Sequence, residues 1–226
     1  MRLRRTIVLI LIALGAAATA GLGVVRAVGD ATGVRTPSAS VVAQARVDAL
    51  ADIAKRLYFQ EVYGEPNASA FRRLSVRPGL VRGLETGNLV LARRTLNHVV
   101  VRHAVRERVT HGSRTLVDVG LKFVIAGERH PLRAPDGTYL GRIEISIQDV
   151  IGFVKLFHRL TGADVVVRGW AGHAKSSLAA PGRLPPLPSS GPVSVAGRAY
   201  FVGSFARTGF AGEPLTVWIL DPVGGG

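Results

Sequence analysis

The chain carries six histidines, fifteen acidic residues and no cysteine, and these residue types bound the chemistry open to it. A thiol nucleophile is excluded. No serine sits in the G-x-S-x-G elbow that presents a hydrolase nucleophile. The histidines at 98, 103, 111, 130, 158 and 173 have no H-E-x-x-H or comparable metal spacing. His98 and His103 are five apart, which on a strand puts them on opposite faces and makes shared metal ligation awkward. No catalytic residue, metal or cofactor is expected. Polar residues on strand faces are the better candidates: Glu144 and Ser146 lie opposite Ile143, Ile145 and Ile147, Asp118 lies between Val117 and Val119, and Tyr200 and Ser204 share one face of a late hairpin. Burying a carboxylate without a partner costs several kcal/mol. Asp118, Glu144, Ser146, Tyr200 and Ser204 are therefore expected either to line a ligand cavity or to form cross-strand pairs with arginines such as Arg106 and Arg108.

These side chains are positioned by a block from Pro131 to Gly169 that reads as strand, turn, strand, helix, strand. Asp136-Gly137 has the composition of a two-residue type I′ turn. Arg142–Ile147 alternates with period two, as a half-buried strand does. Gln148-Asp149 opens a helix whose Val150, Val154, Phe157 and Leu160 recur at helical spacing, and Gly162 closes it. Asp164–Val167 follows as a buried strand. Upstream, Ser38 is an N-cap for one amphipathic helix over Ala39–Tyr63, with Val42, Ala49, Leu50, Ile53 and Leu57 as its apolar stripe. Ala68–Leu74 and Leu80–Leu84 are short helical turns, and Asn88–Asn97 is a further helix. From His98 the period changes to two: Val99, Val101, His103, Val105 and Glu107 fall on one face, which predicts a strand. His111-Gly112-Ser113 turns the chain into a partner strand over Thr115–Ile125. Trp170–Pro192 is a loop too rich in proline for ladder pairing. Val193–Ala206 forms a hairpin turning at Ala196-Gly197, and Pro214–Leu220 is the last strand. This order predicts an α+β domain.

The N-terminus sets the compartment. Arg2, Arg4 and Arg5 precede an uncharged run from Thr6 to Val25. Roughly 20 apolar residues cross a bilayer as a helix, and the arginines predict a cytoplasmic N-terminus. The same residues fit a signal peptide cleaved after Ala20, though apolar continuity through Val25 favours retention. The organisation expected is a signal anchor or signal peptide over 1–27, a linker over 28–37, one exported domain over 38–222 and a tail over 223–226. The location expected is a single-pass cell membrane protein facing outward, or a secreted one. Without cysteine, an exported domain holds by burial alone. No second apolar run of membrane length follows, so the domain is expected to lack its own output module. The net charge of +14 comes mostly from scattered arginines, since the lysines are only Lys55, Lys122, Lys155 and Lys175. No nucleic-acid motif accompanies them. A solvated surface, or attraction to anionic lipid or cell wall, accounts for the charge; no nucleic-acid partner is expected.

Four features together resemble the Cache family of PAS-like extracytoplasmic sensor domains: the long membrane-proximal helix, LVDVG at Leu116–Gly120, PDGTYLGRIEISIQD at Pro135–Asp149, and VAGRAYFVGSF at Val195–Phe205. The resemblance spans roughly Ser38 to Pro222. It implies a central antiparallel sheet with the long helix on one face, and a pocket between the other face and the short helices and loops. Ligands of the family are small metabolites such as amino acids, amines or carboxylates. The family's amino-acid grip, an arginine followed closely by a Trp-Tyr pair, is absent. The function expected is a membrane-anchored, non-enzymatic sensor of a small polar metabolite that acts through a signalling partner. The alternative is a cell-envelope scaffold that keeps the fold without a ligand.

Overall fold

The computed structural model describes residues 38–100, 104–178 and 184–224. Contacts divide the chain into Met1–Val42 and Ala43–Gly226; of the former, the described residues are those that open the first helix. The expected anchor over Thr6–Val25, the linker to residue 37, His103 and the last two residues of the tail lie outside the described residues. Among the described residues no helix is long and apolar enough to cross a membrane.

Helix α1 spans Ala39–Tyr63, the limits expected, and the Ser38 hydroxyl accepts the Val41 N–H at 3.4 Å. Its buried face is rotated from the expected stripe. Val47, Ala51, Ala54, Leu57, Tyr58 and Val62 are buried, Leu50 and Ile53 are half-buried, and Val42 and Ala49 are exposed. Small side chains at 51 and 54 let the helix lie close against a sheet, and a pattern weighted toward bulky residues misses that face. Helices α2 (Glu65–Ser75) and α3 (Pro78–Glu85) follow, each with proline in its first turn, where the missing N–H costs nothing. Helix α4 spans Leu89–Val100. The strand expected from His98 is thus corrected: Val99 completes the buried stripe Ala92, Leu96, Val99 at helical spacing, and the first strand begins only at Arg106.

The strands form two antiparallel sheets, where one central sheet was expected. The first holds β1 (Arg106–His111), β2 (Arg114–Gly120), β3 (Glu128–Arg133) and β4 (Tyr139–Ser146), in the order β2-β1-β4-β3. β2 stops at Gly120, which has a positive φ of 105°, short of the expected Ile125. Helix α5 (Val150–Thr161) leads to the second sheet: β5 (Asp164–Arg168), β6 (Ala174–Ser176), β7 (Ser190–Val195), β8 (Arg198–Thr208) and β9 (Pro214–Pro222), in the order β6-β5-β9-β8-β7. The expected loop over Trp170–Pro192 therefore contributes β6 and the start of β7. Pro192 is tolerated because β7 is an edge strand, where one N–H side needs no partner.

The two hairpin turns differ from the expectation in an informative way. Asp136-Gly137 is not type I′, because only Gly137 has positive φ. Pro135 fixes the second position of a turn closed by Gly137 N–H to Ala134 O at 2.9 Å, a three-residue hairpin loop built on a type I turn. The type I′ geometry is found at Ala196-Gly197, with φ of 51° and 78°.

Each sheet has its own core. Helices α2–α4 cover one face of the first, with Leu74, Leu80 and Leu96 against Val109, Val117, Leu132, Ile143 and Ile145. Helices α1 and α5 cover one face of the second, with Phe153 and Phe157 fully buried against Val165, Val217 and Ile219. Each of those phenylalanines contributes about 1.5–3 kcal/mol by leaving water. Asp149 caps α5 by accepting the Gly152 N–H at 2.7 Å, and Gly162 ends it in the left-handed region at φ 73°, both as expected.

Candidate ligand-binding site

The helix-facing side of the first sheet opens at one end into a cleft of about 550 Å³. Its wall is made by the end of α3 at Glu85, the start of α4 at Leu89, the β1–β2 turn at His111 and Arg114, and the β3–β4 turn at Asp136 and Tyr139. The rings of His111 and Tyr139 meet edge to face, 5.6 Å between centroids. Two carboxylates and one guanidinium on an otherwise mixed wall suit a small polar molecule better than an apolar one.

Deeper on the same side lies a set of polar groups that the sequence did not single out. The strand register puts Val119, Glu107, Ile145 and Glu128 in one row across β2, β1, β4 and β3, and Val117, Val109, Ile143 and His130 in the next. Since Val109, Val117, Ile143 and Ile145 belong to the core under α2–α4, Glu107, Glu128 and His130 face those helices too. Glu107 is 0 % exposed, neither carboxylate oxygen has a hydrogen-bond partner, and burial pushes its carboxyl up to about 8. Glu128 Oε2 and His130 Nε2 are 3.2 Å apart, but their geometry does not make a hydrogen bond. Phe71 of α2 stacks on His130 at 4.0 Å. One turn earlier on that helix, Asn67 donates to Val62 O at 2.6 Å while its Oδ1 stays unpaired. A signal for Glu107 was present: it shares the parity of Val105 and Val109, so it is a carboxylate on the apolar face of a strand.

The five residues expected from the sequence lie elsewhere, and none lines the cleft. Asp118, Glu144 and Ser146 are on the first sheet. Arg106 grips Asp118 with two bonds of 3.1 and 3.0 Å, lies 3.7 Å from Glu213 and stacks over the Phe210 ring at 4.6 Å. Glu144 pairs with Arg129 at 3.2 Å and accepts the Ala211 N–H at 2.9 Å. The turn Phe210–Gly212 between β8 and β9 is thereby held on the first sheet's arginine-bearing face. Ser146 is fully buried and donates to Gln148 O at 3.1 Å. Tyr200 and Ser204 are on β8 of the second sheet. The Tyr200 hydroxyl donates to Asp164 at 3.3 Å, and burial followed by the Asp164 charge raises its phenol. Ser204 is half-buried opposite Trp218. Among the described residues no group of three or more His, Cys, Asp or Glu side chains is arranged to hold a metal ion.

No protein-family model matches the chain, and no curated protein matches it. Solved structures do. An extracellular ligand-binding receptor from Desulfohalobium retbaense is similar over 78% of this chain at 12% identity and a TM-score of 0.41; the chain spans 40% of that receptor's length. The ligand-binding domain of the Pseudomonas fluorescens chemoreceptor CtaA, in complex with L-alanine, is similar over 80% of this chain and 97% of its own, at 7% identity and a TM-score of 0.38. The corresponding domain of the Campylobacter jejuni chemoreceptor Tlp3, in complex with 4-methylisoleucine, is similar over 83% and 93%, at 8% identity and a TM-score of 0.39. The solved structures that this chain is similar to are Cache-type extracellular ligand-binding domains, the family it resembles in sequence.

Proposed function

We propose that the chain is an extracytoplasmic, membrane-anchored ligand-binding domain over residues 38–222, a non-enzymatic sensor of a small polar metabolite that reports through a partner protein. The observation that supports this reading is the cleft on the helix-facing side of the first sheet. Its volume of about 550 Å³ is within the roughly 300–1,000 Å³ usual for small-molecule sites. Glu85, Asp136 and Arg114 offer both signs of charge around one opening, while Tyr139 adds an aromatic wall. Asp118, Glu144 and Ser146 are proposed to serve the site from behind, by fixing the strands that carry it. Tyr200 and Ser204 are proposed to act on the second sheet.

The test is a thermal-shift screen of the full chain against a metabolite library. A ligand that binds only the folded state adds about 2.7 kcal/mol at a hundredfold excess over Kd, a rise of about 5–10 °C for a domain of this size. Arg114→Ala and Tyr139→Ala, both at the surface, should remove the shift and leave the unliganded midpoint unchanged. A shift that both variants retain places the ligand outside the cleft and defeats the cleft reading; a library that gives no shift leaves the cell-envelope scaffold.

A further inference from the structure

We infer that the open face of the first sheet carries a second binding site, for the dianion of inorganic phosphate or of a phosphate monoester, formed by Arg108, Arg142, Thr110 and Thr115. The inference goes beyond the cleft reading and rests on other residues, on the side of the sheet away from α2–α4. Val109, Ile143 and Leu132 belong to the core under those helices. Their strand neighbours Thr110, Arg142 and Pro131 share one cross-strand row with Thr115 and lie on the opposite face. The Phe210–Gly212 turn occupies that face toward Arg106, where Glu144 holds it. The end at Thr110 is left open: Arg142, Thr115 and Pro131 are exposed, and Arg108 and Thr110 are half-buried.

The acids of this face are already engaged. Arg106 grips Asp118, and Glu144 pairs with Arg129 and accepts the Ala211 N–H. Among the described residues, Arg108 and Arg142 have no carboxylate partner. Arg108 donates through Nε and Nη2 to Thr115 Oγ1 at 3.2 and 2.9 Å. These bonds draw its guanidinium toward the row of Thr110 and Thr115, and the Thr115 hydroxyl keeps its own proton to donate. Arg142 is the direct cross-strand neighbour of Thr110, so it stands diagonal to Arg108, about 7–8 Å away along the backbone and within reach of long side chains. Like charges so placed repel, and an anion between them turns the repulsion into attraction. The donors also select the anion. One guanidinium fork satisfies a carboxylate. A tetrahedral phosphate turns oxygens toward both forks and both threonine hydroxyls at once, and its two negative charges match the two positive ones. A phosphodiester, as in lipid headgroups or wall polymers, has one charge and two esterified oxygens, and fits this set less well.

The experiment is calorimetric titration of the full chain, at low ionic strength, with inorganic phosphate, phenyl phosphate, dimethyl phosphate and acetate. Phosphate and phenyl phosphate should bind, and dimethyl phosphate and acetate should bind about tenfold more weakly or not at all. Arg142→Gln and Arg108→Gln should each weaken phosphate about tenfold. Arg142 is exposed, so its variant should keep the parent's melting midpoint, which separates a lost site from a lost fold. Arg94→Gln, an exposed arginine of α4, removes the same charge elsewhere and should bind phosphate as the parent does; so should Arg114→Ala, in the cleft. No phosphate binding by the parent, or unchanged binding in both Arg108→Gln and Arg142→Gln, overturns the inference. An equal loss in Arg94→Gln would show attraction to net charge in place of a site, and also overturns it. Loss in Arg114→Ala alone would put the phosphate in the cleft, and equal binding of dimethyl phosphate would make the ligand a phosphodiester; each defeats the site as assigned. None of these failures defeats the cleft reading.

Discussion

Glu107→Gln separates the cost of a buried acid from every other effect at its position, because Gln has the same shape and no proton to lose. The folded protein holds the Glu107 carboxyl at about 8, against an ordinary 4.5. Below 4.5 both folded and unfolded chains carry the proton, and the residue adds no pH dependence. Between the two values the folded state keeps a proton that the unfolded chain has released, so stability falls as pH rises. Each pH unit in that window costs about 1.4 kcal/mol, and the whole window, about 3.5 units wide, would cost about 5 kcal/mol. Local relaxation and water entry around buried carboxylates reduce this to about 2–4 kcal/mol. Above about 8 the loss is complete and the curve flattens. The Gln variant should therefore match the parent near pH 4.5 and exceed it by about 2–4 kcal/mol at about pH 9, a gap of about 5–12 °C in Tm. Calorimetric melting of both proteins across that range, without ligand, is the assay. A gap that stays constant with pH, or a Gln variant less stable than the parent at high pH, would refute the argument that this carboxyl is buried and unpaired.

Other substitutions test other joints. Tyr58 donates to Thr208 O at 3.2 Å and accepts the Ala126 N–H at 3.0 Å, and burial pushes its phenol up to about 12. Tyr58→Phe strands both backbone groups and should cost about 1–3 kcal/mol in chemical denaturation, with no change in m-value. Glu144→Ala removes the acceptor of Ala211 N–H and should cost about 2–3 kcal/mol. Glu144→Gln keeps that acceptor and should cost less than about 1 kcal/mol, since the Arg129 partner is mostly exposed and such pairs are weak; equal losses in the two variants would show that the ion pair matters more than the turn. Ala196 sits at φ 51°, and Ala196→Asn should gain about 0.5–1 kcal/mol by matching the type I′ preference, seen as a rise of about 1–4 °C in Tm.

What the chain discloses without its structure is local. The limits of α1, the Asp149 cap, the Gly162 stop and the Ala196-Gly197 turn depend on a few neighbouring residues, and all are present where the pattern put them. The division into two sheets depends on which distant strands pair, and alternation says nothing about that. The end of α4 was misread because Val99 and Val100 favour strands intrinsically, whereas packing Val99 beside Leu96 and Ala92 decides for helix. The candidate site suffered most. Polar residues on the face opposite the isoleucines of β4 were expected to line a ligand cavity or to pair with arginines; Asp118 pairs with Arg106 and Glu144 with Arg129, and the Phe210–Gly212 turn lies on that face. Glu107 was overlooked although its parity with Val105 and Val109 marked it as a carboxylate on an apolar face, and the cross-strand register places it beside Val119 and Ile145 in the core.

The placement of proline bears on how such a chain avoids pairing with copies of itself. Pro131 lies in β3 and Pro192 in β7, and both strands are the last of their sheets. The far edge of the second sheet is β6, three residues long. Among the described residues, three of the four open margins are thus either interrupted by a residue without an N–H or too short to template another strand. The fourth, β2, carries Arg114 and Asp118. Strands of neighbouring molecules therefore meet one uninterrupted margin, β2, and that margin is charged, so crowding need not lead to fibrous association.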